Sequence, residues 1–246
     1  MNSTALDRKS VRISATLLLV GQLLYIAITQ MHAGGDANNH PAIFAAYARS
    51  EIWTAVHVGQ FAATAILLAG LFALSSALGG VPAGTPRWAA RFGAAAATVA
   101  LALYGVVMAV DGVALKQAVN AWASAPDAEK PSRFASAEAI RWIEWGARSY
   151  QTFALGLALL LLAAAVGRAA GLPRPIAYLM GLAGLTYLAQ GWVAGTDGFT
   201  HTHDVLIVLA WALNLAWMIW LAVVARLAQD LESAPPGSEG ASRGDA

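Results

Sequence analysis

The chain has 246 residues, of which 58% are hydrophobic and 12% charged, about half the charged share of a water-soluble domain. Fifteen basic and fourteen acidic residues leave a formal charge of +1. Because the basic residues are scattered, no nucleic-acid footprint is present. Cysteine is absent, which excludes disulfides, thiolate metal sites, iron–sulfur clusters and thiol nucleophiles.

The first apolar segment, residues 13–31, follows Arg8, Lys9 and Arg12. It is long enough to span hydrocarbon. The triplet Met31-His32-Ala33 lacks the small first residue of a signal cleavage site, so the segment reads as a retained helix. After a polar stretch, a second span is expected over residues 52–78 and a third over 88–110, joined by a tight Gly/Pro connection. The third helix should run on to about residue 122, and Pro126 and Pro131 should then break the chain. A fourth helix is expected to start near Ser136 with a charged turn and to lie in lipid over 145–167. Spans over 176–194 and 205–225 follow. Residues 233–246 have the composition of a disordered cytoplasmic tail after a single membrane domain over 1–232.

These elements predict an all-α, polytopic bundle of six transmembrane helices with the N- and C-termini both cytoplasmic. The lipid bilayer is its one assured partner, and a homo-oligomer or membrane-complex partner is left open. Orientation comes from the charges: Arg8, Lys9, Arg12, Arg87, Arg91, Arg168, Arg174 and Arg226 fall on one side of the six spans. Asp36, Glu51, Asp127, Glu129, Asp197 and Asp204 fall on the other. Trp53, Trp122, Trp142, Trp145 and Trp192 are expected near the outer headgroup zone, with Trp88 in the inner one. The first loop, the third loop and the His201-Thr202-His203-Asp204 turn should form an outer cap.

Leu172-Pro173-Arg174, Tyr178, Gly181, Ala183-Gly184 and Tyr187-Leu188, together with the six-span layout, resemble the conserved stretch of bacterial multi-pass membrane families catalogued as domains of unknown function. The resemblance implies a bacterial cytoplasmic membrane. It supplies no catalytic residues.

All five histidines fall toward the predicted outer half. Imidazole binds metal ions or haem iron without a thiol, so His57, His201, His203 and Asp204 are candidate metal ligands. Taken singly, His32, His40, His201 and His203 read as solvated loop residues. His57 sits inside the second span, with Gln60 and Thr64 on the same face. Arg141, Glu144 and Arg148 share a face of the fourth helix, and Glu144–Arg148 has ion-pair spacing. His57, Gln60, Asp111, Glu144, Arg148, Gln151 and Gln190 are therefore the candidate lining of an outward-facing ligand or proton pocket. Gln22 and Asn214 read as helix-packing groups.

Protease, hydrolase, phosphate-loop and dinucleotide signatures are absent. Three classes of function stay open: a protein binding a metal, haem or small polar ligand; a membrane-embedded acid–base or metal-assisted enzyme; and a transporter or accessory subunit. A closed-bottom pocket is favoured over a conduit because the inner halves of spans two to four are mainly Ala, Leu, Gly and Val.

Overall fold

The structure, a computed structural model, describes residues 6–80 and 84–233. The tail expectation thus falls almost wholly outside the described residues. Among the described residues there is no strand, and six helices are long and apolar enough to cross a membrane. They are α1 (Arg8–Thr29), α3 (Trp53–Ala77), a rod formed by α4 (Thr85–Ala109) and α5 (Lys116–Ala123), α6 (Lys130–Val166), α7 (Arg174–Thr196) and α8 (His201–Ser233). A short helix, α2 (His40–Arg49), lies in the first loop.

The helix starts follow from local chemistry. Asp7 caps α1 by accepting from the Lys9 and Ser10 amides, and Asn39 caps α2 by accepting from the Ala42 amide. Pro41, Pro86, Pro131 and Pro175 each sit second in a helix. A first-turn N–H has no acceptor within its helix, so proline starts a helix without cost there. For that reason Pro131 opens α6 at Lys130 instead of breaking the chain, and the helix begins six residues before the expected Ser136. At 37 residues and 1.5 Å per residue, α6 is about 55 Å long, well beyond a ~30 Å hydrocarbon core. The α4–α5 rod, 39 residues over Thr85–Ala123, overhangs at the same end, as its sequence suggested.

The six long elements close into a ring in the order α1, α3, α4, α6, α7, α8 and back to α1. Small residues allow close approach. A Cβ on Gly21 would lie 2.5 Å from the Leu67 backbone nitrogen, and one on Gly156 would lie 2.7 Å from the Gly184 carbonyl. Ser14 donates to the Gly70 carbonyl and Ser149 to that of Gly191, fastening α1 to α3 and α6 to α7.

At one end the overhanging α5 and α6 meet α2 in a cap. Ile43, Phe44, Tyr47, Trp53, Leu115, Val119 and Ala137 form its core. The Lys116 ammonium donates to the Tyr47, Ala48 and Ser50 carbonyls at 2.7–2.9 Å, holding the end of α2. Asn38 bonds the Asp197 carbonyl and the Phe199 amide, tying the first loop to the α7–α8 turn. The cap thus combines the expected loops, but His201-Thr202-His203-Asp204 is the first turn of α8 and not a loop.

Trp142 and Trp192 are well exposed on the outside of the bundle, as is Trp88. Trp53 departs from the expected belt. It is buried, and its indole donates to the Asp111 carbonyl, which the α4–α5 rod brings directly opposite. Replacing Gly156 with Val should overpack the α6–α7 seam and cost about 1–3 kcal/mol, read as a lower thermal midpoint in detergent. Gly146 has nothing within 4 Å of its virtual Cβ, so Gly146→Ala should leave the midpoint unchanged or raise it slightly.

Candidate functional site

A cavity of about 440 Å³ occupies the cap-side half of the ring, and all six long elements contribute to it. Gln60, Asp111, Glu144, Arg148, Gln151 and Gln190 line it. His57 stands directly behind the Asp111 wall, at 2.9 Å from the carboxylate. Six of the seven candidate pocket residues therefore face one space, and the seventh holds its wall.

The geometry around His57 begins with a local irregularity. Residues Val110–Leu115, between α4 and α5, take the wider π-helical winding, which re-aims side chains and recurs at functional sites. Gly112 makes this possible against α3, because a Cβ there would lie 2.6 Å from the His57 Cβ. Trp53 donates to the Asp111 carbonyl at 2.9 Å and Thr54 to that of Gly112 at 3.1 Å. His57 Nδ1 donates to the Trp53 carbonyl at 2.7 Å, so its Nε2 faces Asp111 Oδ2. The second carboxylate oxygen, Asp111 Oδ1, is buried without a hydrogen-bond partner among the described residues.

His32 packs at a tilt against this pair, its ring centre 4.6 Å from Trp53 and 5.2 Å from His57. Its Nδ1 lies 3.0 Å from the Ala33 carbonyl. Burial holds its pKa below the usual histidine value, so the ring is neutral at pH 7. Tyr47, tilted against Trp53 with ring centres 4.0 Å apart, has its hydroxyl pushed well above its ordinary pKa by burial and stays protonated.

On α6 the ion pair differs from the expected spacing. Glu144 accepts from Arg141, one turn back, and Arg141 also reaches the Tyr47 hydroxyl and the Ala37 carbonyl. Both positions neighbour Glu144 on the helix, and the stacking of Arg141 on Phe199 and Tyr47 favours that side. Arg148 is left over the Tyr104 ring, 5.1 Å from its centre. No carboxylate among the described residues is in ion-pair reach of it.

The four candidate metal ligands separate. His201 is exposed. Asp204 lies exposed along the cavity lining, and His203 faces the cavity 4% exposed with neither ring nitrogen partnered. His57 is grouped instead with His32 and Asp111, whose donor atoms all lie within 4.8 Å of one another. The solvated reading thus holds for His201 alone: His40 is 9% exposed and paired with Glu138, and His32 and His203 are cavity groups. His32 was missed as a site residue because its sequence neighbours, Met31 and Ala33-Gly34-Gly35, carry no ligand pattern.

At the cavity floor, lined by Gln22 and Tyr187, Asn214 donates to Gln22 and to the Tyr187 hydroxyl and accepts from Trp217, the packing role read from the sequence. Under this clasp the bundle is apolar, with Leu18, Leu71, Leu74, Leu159, Leu162 and Leu221 in one buried cluster.

Removing one member of a buried ion pair strands the other. Asp111→Ala should cost about 3–5 kcal/mol in thermal unfolding, and Asp111→Asn, which keeps a hydrogen-bond acceptor beside His57, clearly less. Comparison of the chain with family models, curated proteins and solved structures finds no match.

Proposed function

We propose that this protein is a binding protein of a bacterial cytoplasmic membrane that takes a small anionic ligand into an extracytoplasmic pocket. Arg148 carries this reading. Arg141 is matched by Glu144 and His57 by Asp111, whereas the Arg148 guanidinium, on the same cavity wall, has no carboxylate among the described residues in ion-pair reach; the other unpaired lining charge, Asp204, is exposed. A charge at that depth in a bundle is costly unless a counter-charge or water meets it, so the pocket attracts an anion. His203, with both nitrogens unpartnered, lines the same space and can donate to that anion. A volume of about 440 Å³ suits a small molecule.

The orientation rests on the basic residues Arg87, Arg91, Arg168 and Arg174, which flank the end of the bundle away from the cap. Arg8, Lys9, Arg12 and Arg226 add to the bases at that same end, and an excess of Lys and Arg beside the span ends marks a cytoplasmic side, which supports a cap and cavity on the extracytoplasmic side. The sealed apolar half beneath the cavity favours binding over conduction.

Thermal unfolding of the detergent-purified protein with acetate, succinate and inorganic phosphate tests the reading. At least one anion should raise the midpoint, and the corresponding uncharged amide should not. Arg148→Gln should weaken that anion by about 2–5 kcal/mol. No stabilising anion, or one indifferent to Arg148→Gln, would overturn it.

A further inference from the structure

We propose that His32, His57 and Asp111 bind one divalent first-row transition-metal ion on the cap-side wall of the cavity. One ring nitrogen from each histidine and a carboxylate oxygen of Asp111 already lie within 4.8 Å of one another. Two histidines and one carboxylate are a donor set that suits zinc or ferrous iron, with coordination positions left open for water or ligand.

The tautomers are arranged for it. His57 Nδ1 donates to the Trp53 carbonyl and His32 Nδ1 faces the Ala33 carbonyl, so each ring is held from behind by a backbone oxygen and offers Nε2 forward. This is how outer partners orient metal-binding histidines. Asp111 is equally fixed, through the bond from Trp53 to its carbonyl and the close packing of Gly112 on His57. Its Oδ1 has no partner although the residue is only 5% exposed, and a buried carboxylate oxygen without a donor calls for a cation or a proton donor.

One of the three donor distances already fits. Around an ion held at about 2.1 Å, neighbouring donors stand about 3.0–3.4 Å apart, and His57 Nε2 is 2.9 Å from Asp111 Oδ2. His32 lies in the connection after α1, and its nitrogen, within 4.8 Å of the other two donors, moves inward to complete the set. Binding replaces the proton shared by His57 and Asp111, so it releases a proton and tightens as pH rises. Because Asp111 and His32 both line the cavity, the open positions face the space assigned to the anion, and the ion would add positive charge beside Arg148. That ligand-facing role rests on the pocket reading, whereas binding of the ion itself stands on the three residues.

The test uses the full chain in detergent, stripped with a chelator and titrated with zinc alone. Bound metal is measured by elemental analysis, and affinity by competition with a chromophoric chelator. Wild type should take up one zinc per chain. His32→Gln, with its unfolding transition intact, should lose more than about a hundredfold in affinity, beyond the effect of losing an outer partner. His201→Ala, changed at the exposed histidine, should match wild type. No stoichiometric zinc in wild type, or wild-type affinity in His32→Gln, overturns the site. Anion-induced stabilisation measured on the metal-free protein separates the two readings. If it persists where zinc fails, only the metal site falls, and if zinc binds where every anion fails, only the anion pocket falls.

Discussion

Hydrocarbon cannot solvate a charged or hydrogen-bonding side chain, and that constraint organises this molecule. His57, Gln60, Asp111, Glu144, Arg148, Gln151 and Gln190 are embedded in long apolar helices and must turn toward one another or toward water. A closed ring of six helices gives them a common interior. Six of the seven line one cavity, with His57 behind its wall, and the ring closes into an apolar core where such residues are absent. The contrast between the cavity-bearing half and the Leu- and Ala-rich half beneath it is the same constraint seen at two depths.

Within the cavity wall, the π-wound turn at Val110–Leu115 does the decisive positioning. It brings the Asp111 carboxylate to His57 while its carbonyl meets Trp53, and it depends on Gly112 having no side chain. The cap completes the arrangement from outside. Lys116 holds the end of α2, α2 presents Tyr47, and Tyr47 meets Arg141 and packs against Trp53. Elements distant in the chain thereby set the geometry of one site, with Arg141 held to Glu144 and Arg148 left facing the cavity.

The spans were legible because lipid demands about twenty apolar residues in a row, a signal that needs no knowledge of packing. Convergence of the polar set was legible in part: the three- and four-residue spacing of His57, Gln60 and Thr64 puts them on one inward face. What pairs with what was not. Glu144 has a basic residue on either side at helical spacing, and tertiary contacts of Arg141 with Tyr47, Ala37 and Phe199, the last 58 positions away, favour one of them. Helix α2 was not expected: its cap Asn39 and early Pro41 lie in a stretch whose histidines and glycines read as loop. His32 joined the site through tertiary contacts with Trp53 and His57, which no local pattern encodes.

The proposed cavity opens only to the extracytoplasmic side, and the absence of native cysteine makes this directly measurable. Cysteine placed singly at Asp204, exposed along the cavity lining, and at Gln151, buried in its wall, is challenged in intact cells with a small, membrane-impermeant thiol reagent. Both positions should react from outside, Gln151→Cys more slowly, and prior modification of Asp204→Cys in the double variant should slow it further. Reaction of Gln151→Cys only after the cytoplasmic face is exposed would contradict both the orientation and the closed floor.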